Sequence, residues 1–317
     1  MLSYVVMNLN KSVQIIEIKE EKAGQRLDNW LFNLFKGVPK SRIYRAIRKG
    51  EVRINKKRTK AEYKLKLADQ VRVPPLHTTK ATVITTIKPN TVKWLFERII
   101  YEDQHLLILN KPAGLAVHGG SKIDFGVIDI LRQGKPEQNF ELVHRLDKDT
   151  SGCLLIAKTR KGLQQLHQML RQGEIKKEYL CLVKGRWNQL HCIVESRLRK
   201  NNLASGERVV QVDQAGKLAI TEFHLLEATD IASLLRASLH TGRMHQIRVH
   251  LQQVNQPLAG DAKYGDRVFN KQMRFFGLKR LFLHAEKLKF RLPETKKEIK
   301  VSALLEKDLQ ECWNHLK

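Results

Sequence analysis

Leu142-Val143-His144-Arg145-Leu146-Asp147-Lys148-Asp149-Thr150-Ser151-Gly152-Cys153-Leu154-Leu155-Ile156-Ala157 places a dense polar segment between two apolar flanks. The run Cys153 to Ala157 has the length and composition of a buried strand, so the polar segment reads as the loop that feeds it. Loops held at strand ends are where catalytic groups collect. A turn with side-chain-to-backbone hydrogen bonds accounts for Asp149, Thr150 and Ser151. Asp147 is the carboxylate for which the rest of the chain suggests a chemical task.

Working outward, Leu106 to Leu109 is a second apolar run, ahead of Asn110-Lys111-Pro112. Tyr179, Cys181 and Val183 alternate with Leu180 and Leu182 in a third. Leu163, Leu166, His167 and Leu170 have helical spacing closed by Gly173, and Ile247, His250, Leu251 and Val254 repeat the pattern. Strands and helices mix without a βαβ rhythm, so the fold class expected is α+β.

The chain of 317 residues carries 58 Lys and Arg against 32 Asp and Glu, a net charge of +26. Such an excess speaks of a polyanionic partner rather than of fold. It is concentrated: between Lys36 and Lys66 thirteen Lys or Arg face two acids, Glu51 and Glu62, for +11. In this region Leu27, Trp30, Leu31, Leu34 and Phe35 predict one helix, ended by Gly37 and Pro39. Ser41 is expected to cap a second helix that runs to Gly50, with Arg42, Arg45 and Lys49 on one side. Val52-Arg53-Ile54 and Val71-Arg72-Val73 alternate as short strands, with Lys56, Lys57 and Arg58 in a basic hairpin. Two short helices and a basic hairpin suit an RNA-binding module, whose expected contacts are Arg42, Arg45, Lys49, Lys56, Lys57 and Arg58.

The motifs of other chemistries are missing. There is no G-x-x-x-x-G-K-[ST] and no G-x-G-x-x-G, so neither an NTPase nor a dinucleotide enzyme is expected. His240, His245 and His250, five apart, share no helical face, and no H-E-x-x-H occurs, so no metal site is expected. A G-x-S-x-G serine elbow is absent. Four cysteines without a C-x-x-C pair do not make a disulfide framework. The N-terminal apolar run is too short for a signal peptide, and no stretch is long enough to span a membrane. A soluble cytoplasmic protein is expected.

His144-Arg145-Leu146-Asp147 followed by Thr150-Ser151-Gly152 resembles the catalytic motif of the RluA family of pseudouridine synthases. The resemblance extends along the chain. Asn110-Lys111-Pro112-Ala113-Gly114-Leu115-Ala116-Val117-His118 is similar to the family's upstream motif, and Lys177-Glu178-Tyr179 to its tyrosine motif. Thr241-Gly242-Arg243-Met244-His245-Gln246-Ile247-Arg248-Val249-His250 is similar to its arginine motif, with Met244 where threonine is usual. Gly260-Asp261, Tyr264-Gly265 and Leu283-His284-Ala285 match later signatures. The basic module resembles the small alpha-L RNA-binding domain of a ribosomal small-subunit protein. Segments Gly265 to Asn270 and Gly277 to Ala285 look most like family members that act on large-subunit rRNA.

The resemblance implies a mixed, mainly antiparallel sheet with flanking helices behind the alpha-L domain. The expected boundaries are a tail at 1–19, the RNA-binding domain at 20–76, a linker at 77–93 and the catalytic domain at 94–317. It implies an isomerisation in which uracil is detached from ribose, turned and rejoined through carbon five, with no cofactor. Asp147 would be the catalytic carboxylate, by attack on sugar or base or by removal of a sugar proton. Arg243 would be its ionic partner, since a nearby cation favours the ionised form. Tyr179 would stack on the uracil and act on the carbon-five proton, Leu283 would wall the base pocket, and Arg145 would contact RNA in the surroundings of the flipped nucleotide. The partner expected is large-subunit rRNA or an assembly intermediate, met by a monomer. The alternatives are the same chemistry on transfer RNA, or a non-catalytic rRNA-binding assembly factor.

Overall fold

The computed structural model describes residues 12–35, 38–76, 87–119, 125–202 and 207–317. The chain divides into two compact units, 1–86 and 87–317.

The first unit holds β1 (Gln14–Glu17), α1 (Leu27–Leu34), α2 (Lys40–Arg48), β2 (Arg53–Ile54), β3 (Lys57–Arg58) and β4 (Gln70–Val73). Its sheet has the order β1-β4-β2-β3. The apolar face expected of α1 is the one it buries: Leu27, Trp30, Leu31 and Phe35 join Ile43, Ala46 and Ile47 of α2 and Val71 and Val73 of β4 in one core. Gly50 takes φ +71° just past α2, the left-handed terminus that favours glycine. Asn55 and Lys56, at φ +48° and +66°, make the two-residue turn between β2 and β3. Two expectations are corrected. Ser41 does not cap α2; the helix begins two residues earlier, at Lys40, with Pro39 at its N-cap and no side-chain cap. The expected tail contains β1, which pairs with β4 from Gln14↔Val73 to Glu17↔Gln70. Gly37 lies outside the described residues.

The second unit starts earlier than expected. Residues 77–86 lie outside the described residues, but 87–93 are not linker. Ile87 is buried, and α3 (Pro89–Phe96) has Pro89 in its first turn. A proline read as a breaker is here the residue whose fixed φ starts a helix. Then come β5 (Ile99–Glu102), β6 (Leu106–Lys111), α4 (Val127–Gly134), β7 (Glu141–Leu142), β8 (Ser151–Ala157), α5 (Arg160–Gln172), β9 (Lys176–Lys184), β10 (His191–Asn202), β11 (Arg208–Val212), β12 (Lys217–Ala228) and β13 (Ala232–Leu239). They are followed by α6 (Gln246–Gln253), α7 (Arg267–Phe275), β14 (Leu283–Arg291), β15 (Glu298–Ser302) and α8 (Lys307–Leu316).

One mixed sheet runs β11-β10-β12-β13-β9-β14-β8-β6-β5, with β15 added on β14 and β7 on β8. Every pair in it is antiparallel except β8 with β14, where Ser151 faces His284 and Gly152 faces Ala285. The expectation of a mainly antiparallel α+β sheet therefore holds. β8 is buried along its whole length, so its apolar run needs no alternation.

The parallel seam explains Gly152. Its φ is +106°, and a Cβ there would lie 2.2 Å from the carbonyl oxygen of Ala285. Only glycine lets the two strands close beneath the loop that carries Asp147. Ser151 fastens the same seam: its Oγ donates to Nδ1 of His284, 2.9 Å away, while His284 Nε2 donates to Ala303 O at 3.1 Å. Ser151 thus bonds across the sheet, not within its own turn as the sequence suggested.

Candidate active site

Asp147 stands in the turn that delivers the chain into β8. Thr150 N donates to Asp147 O at 3.2 Å to close it. The turn is also held from the side by Lys111, at the end of β6 and fully buried. Its Nζ donates to the carbonyls of Pro112 (2.7 Å), Leu115 (2.9 Å) and Lys148 (3.0 Å), one acceptor for each N–H of an ammonium. Gly114 N adds a bond to Lys148 O at 2.9 Å. Burial pushes Lys111 down to about 7. On the other flank His144, kept neutral by burial and by Lys177, accepts from Leu155 N through Nε2 at 3.0 Å.

The cation opposite Asp147 is Arg248, not Arg243. Arg248 Nη1 lies 3.6 Å from Asp147 Oδ2. Arg243 donates Nε to Leu218 O at 3.0 Å and stays exposed at the rim of the same cleft. Arg248 is set by Asp261, which accepts its Nε and Nη2 at 2.7 Å each. Burial works against both charges and the fork-to-fork pair overrides it, raising Arg248 and lowering Asp261. His245 Nε2 also lies 3.6 Å from Asp147 Oδ2. Burial lowers His245 to about 4, so its ring is neutral. Tyr264 Oη accepts from Val210 N at 2.9 Å and meets His245 Nδ1 at 2.8 Å. With Tyr264 donating to Nδ1, the imidazole proton sits on Nε2, facing Asp147.

Backbone geometry aims these groups. His245 has φ +53°, an uncommon conformation for histidine, at the N-cap of α6. Gln246 over-determines it from a buried position: Oε1 accepts from Thr241 Oγ1 (2.7 Å) and Arg243 N (3.0 Å), and Nε2 donates to Ile220 O and Thr221 Oγ1 (both 2.9 Å). Arg248, His245, Gln246, Asp261 and Lys111 were not assigned tasks from sequence. The available signal was their position inside the quoted motifs.

The structure brings Asp147, Tyr179, Leu283, Arg145 and Arg243 to one cleft, whose walls also include Leu146, Leu239 and Ile247. Tyr179 lies on β9, with Leu283 near it across the β9–β14 pair at Cys181. Burial first, and the charge of Asp147 second, push the Tyr179 phenol upward, so it stays protonated. Arg145 is exposed at the cleft. A carboxylate beside a flat ring and apolar walls can attack an electrophilic carbon or stabilise a positive sugar.

In the first unit Arg45, Lys49, Lys56, Lys57 and Arg58 are exposed, as an RNA-binding face needs. Arg42 differs: it is half-buried and pairs with Glu51 at 2.8 Å, so it braces the end of α2. His240, His245 and His250 lie apart, as their spacing predicts. His245 belongs to the cleft, His240 pairs with Glu222, and His250 is buried with neither ring nitrogen bonded.

Comparison with known proteins agrees with this architecture. The family model described as RNA pseudouridylate synthase matches residues 105–253, and the S4 domain model matches 25–71. The chain belongs to the pseudouridine synthase family and is an RNA pseudouridine synthase with an S4 domain ahead of its catalytic unit. It is 49% identical to the ribosomal large subunit pseudouridine synthase C of Pasteurella multocida over 312 residues, 98% of this chain and 95% of that one. It is 50% identical to the protein of the same name from Escherichia coli over 311 residues, covering 96% and 97%. The solved human RNA pseudouridylate synthase domain containing 4 shares the fold, with a TM-score of 0.60 at 24% identity, over 72% of this chain and 95% of that one. Among the described residues no helix is long and apolar enough to cross a membrane.

Proposed function

We propose that this enzyme converts specific uridines of large-subunit rRNA to pseudouridine, with Asp147 as the catalytic carboxylate. The observation that carries the reading is the setting of Asp147: a carboxylate in a cleft walled by Tyr179 and Leu283, with Arg248 and His245 each 3.6 Å from one oxygen. The choice of rRNA rests on the relatives named synthase C at close to half identity over nearly the whole chain.

The target uridine leaves its helix, at a cost of a few kcal/mol, and enters the cleft with its base on Tyr179 and Leu283. Cleaving the glycosidic bond develops positive charge on the sugar, which the Asp147 carboxylate meets by attack or by proton removal. Arg248, and not Arg243, holds the balancing charge. Tyr179 lies next to the base; as its phenol is protonated, it takes up the carbon-five proton while passing its own on, with the Asp147 carboxylate, freed once the new bond forms, as the acceptor in this cleft. Arg145 and Arg243, exposed at the rim, contact the nucleotides beside the flipped one. The exposed cations Arg45, Lys49, Lys56, Lys57 and Arg58 supply phosphate affinity without sequence choice.

The test maps pseudouridine in rRNA and transfer RNA of cells lacking the protein, complemented with the wild-type or Asp147→Ala gene. Specific large-subunit sites should lose the modification and regain it only with the wild type. Restoration by the variant removes Asp147 from its role. Loss confined to transfer RNA removes the rRNA assignment.

A further inference from the structure

The sheet has a second cluster of chemistry-bearing side chains, on the face away from the cleft. Tyr179 pairs with Ala237, Ala237 with Phe223 and Phe223 with Cys192, and directly paired residues share a face. His224, Glu222 and His191 alternate with that series and point to the opposite face. There His191 of β10 is the direct cross-strand partner of His224 of β12, and their rings are 4.7 Å apart. Both aim Nε2 at one oxygen of Glu222: Oε1 is 2.9 Å from His191 and 3.0 Å from His224. His240, just past β13, sets its Nε2 3.1 Å from Oε2.

Three imidazoles on one carboxylate are more than an isolated ion pair needs. The donor atoms of His191, Glu222 and His224 all lie within 4.8 Å of one another. A tetrahedral ion with bonds near 2.0–2.1 Å separates its ligand atoms by about 3.3 Å, so small side-chain rotations admit one. The hydrogen bond from His240, against a smaller opposing effect of burial, and the bonds from His191 and His224 keep Glu222 below the usual carboxylate range. The next cation on this face, Arg236 opposite His224, is turned to Glu178 and Glu286 at 3.5 and 3.9 Å.

We propose that His191, His224 and Glu222 bind a divalent transition-metal ion, with water completing the coordination and zinc the expected occupant. Imidazole nitrogen with one carboxylate oxygen selects zinc and its neighbours over magnesium or calcium. The ion takes the place of the His191 and His224 hydrogen bonds and staples β10 to β12, while His240, bonded to the other oxygen of Glu222, ties the segment after β13 to the same carboxylate. That segment leads in three residues from His240 to Arg243 and in five to His245, so the staple anchors the loop that enters the cleft. The site is structural and supplies nothing to the isomerisation itself.

The experiment uses the full chain, free of any histidine tag and stripped with chelator. Zinc is titrated by calorimetry and cobalt(II) by visible absorption. The expected result is saturation at one equivalent, a tetrahedral cobalt spectrum displaced by zinc, and a Tm raised by zinc. His191→Ala, His224→Ala and Glu222→Gln should each weaken zinc by at least about tenfold and abolish the Tm shift. These side chains are partly exposed, so metal-free variants should melt with the metal-free wild type. No saturable binding, or binding indifferent to the three replacements, overturns the proposal.

Discussion

Arg248→Met separates two tasks that one guanidinium performs. Its first partner is Asp261, 2% exposed and held by two 2.7 Å bonds. Removing the cation leaves that carboxylate buried and uncompensated, which costs about 3–5 kcal/mol. A unit of this size loses about 2–4 °C per kcal/mol, so Tm should fall by roughly 6–20 °C. The second partner is Asp147, 3.6 Å away in a cleft open to solvent. A unit charge at about 4 Å is worth about 4 kcal/mol at an effective dielectric of 20, and screening at a partly exposed site leaves about 2–3. Lost from the transition state, that is roughly 30- to 150-fold in kcat/KM.

The two effects come apart in Arg248→Met/Asp261→Asn. Removing both charges of a buried pair is often close to neutral. Asparagine keeps Oδ1 for the backbone N–H groups of Lys263 and Tyr264, which Asp261 accepts at 2.8 and 2.9 Å. The double variant should regain most of the lost Tm and none of the activity. Activity is read as tritium released from carbon five of labelled uridine in an rRNA fragment. Recovery of stability and activity together would refute the reasoning, because Arg248 would then act only through the fold.

Gly152→Ala forces a Cβ against the Ala285 carbonyl at a backbone angle alanine avoids, and should cost at least about 2–4 kcal/mol in urea denaturation. An unchanged midpoint would mean that β8 and β14 need not close there. Lys111→Met removes the shared partner of three carbonyls, one bond buried and two part-buried, and should cost about 3 kcal/mol. Pseudouridine formation should fall with it, as the Asp147 turn loses its lateral support, and full activity in the tritium assay would deny the brace. Burial lowers His245 and His250 to about 4 and is the larger cause that lowers His144 to about 3. A histidine whose folded pKa lies below its unfolded value near 6.5 stabilises fully above that pH. Tm should therefore fall as pH drops from 6.5 to about 4, and His250→Leu should make the fall shallower.

What the sequence disclosed is local. The α1 face, the α5 helix with its Gly173 terminus and the buried run of β8 were readable because each is decided by residues within a few positions of one another. The N-terminal strand was not. Its apolar stretch is only Ile15-Ile16, and the strand exists because β4, more than fifty residues on, offers it an edge. Residues 87–93 misled for a related reason. Thr- and Pro-rich composition describes a linker, but Ile87 is tied to α4 through both backbone bonds with Gln133 (3.1 and 2.7 Å). Tertiary partners overrode composition in both places.

The misplaced arginine is the more instructive case, because the chain did contain the answer. Ile247, Leu251 and Val254 predict a helix in the segment that contains both arginines and His245. His245 is the N-cap of α6 and Arg248 follows in its first turn. Arg243 falls before the helix begins at Gln246, where nothing fixes its direction toward the same point. A group that must hold a fixed distance to Asp147 needs a rigid mount and a buried counter-partner. Arg248 has both, in α6 and Asp261, whereas Arg243 has a backbone carbonyl and solvent. The rigid mount in α6 and the buried partner Asp261, neither of which Arg243 has, mark Arg248 as the cation opposite Asp147.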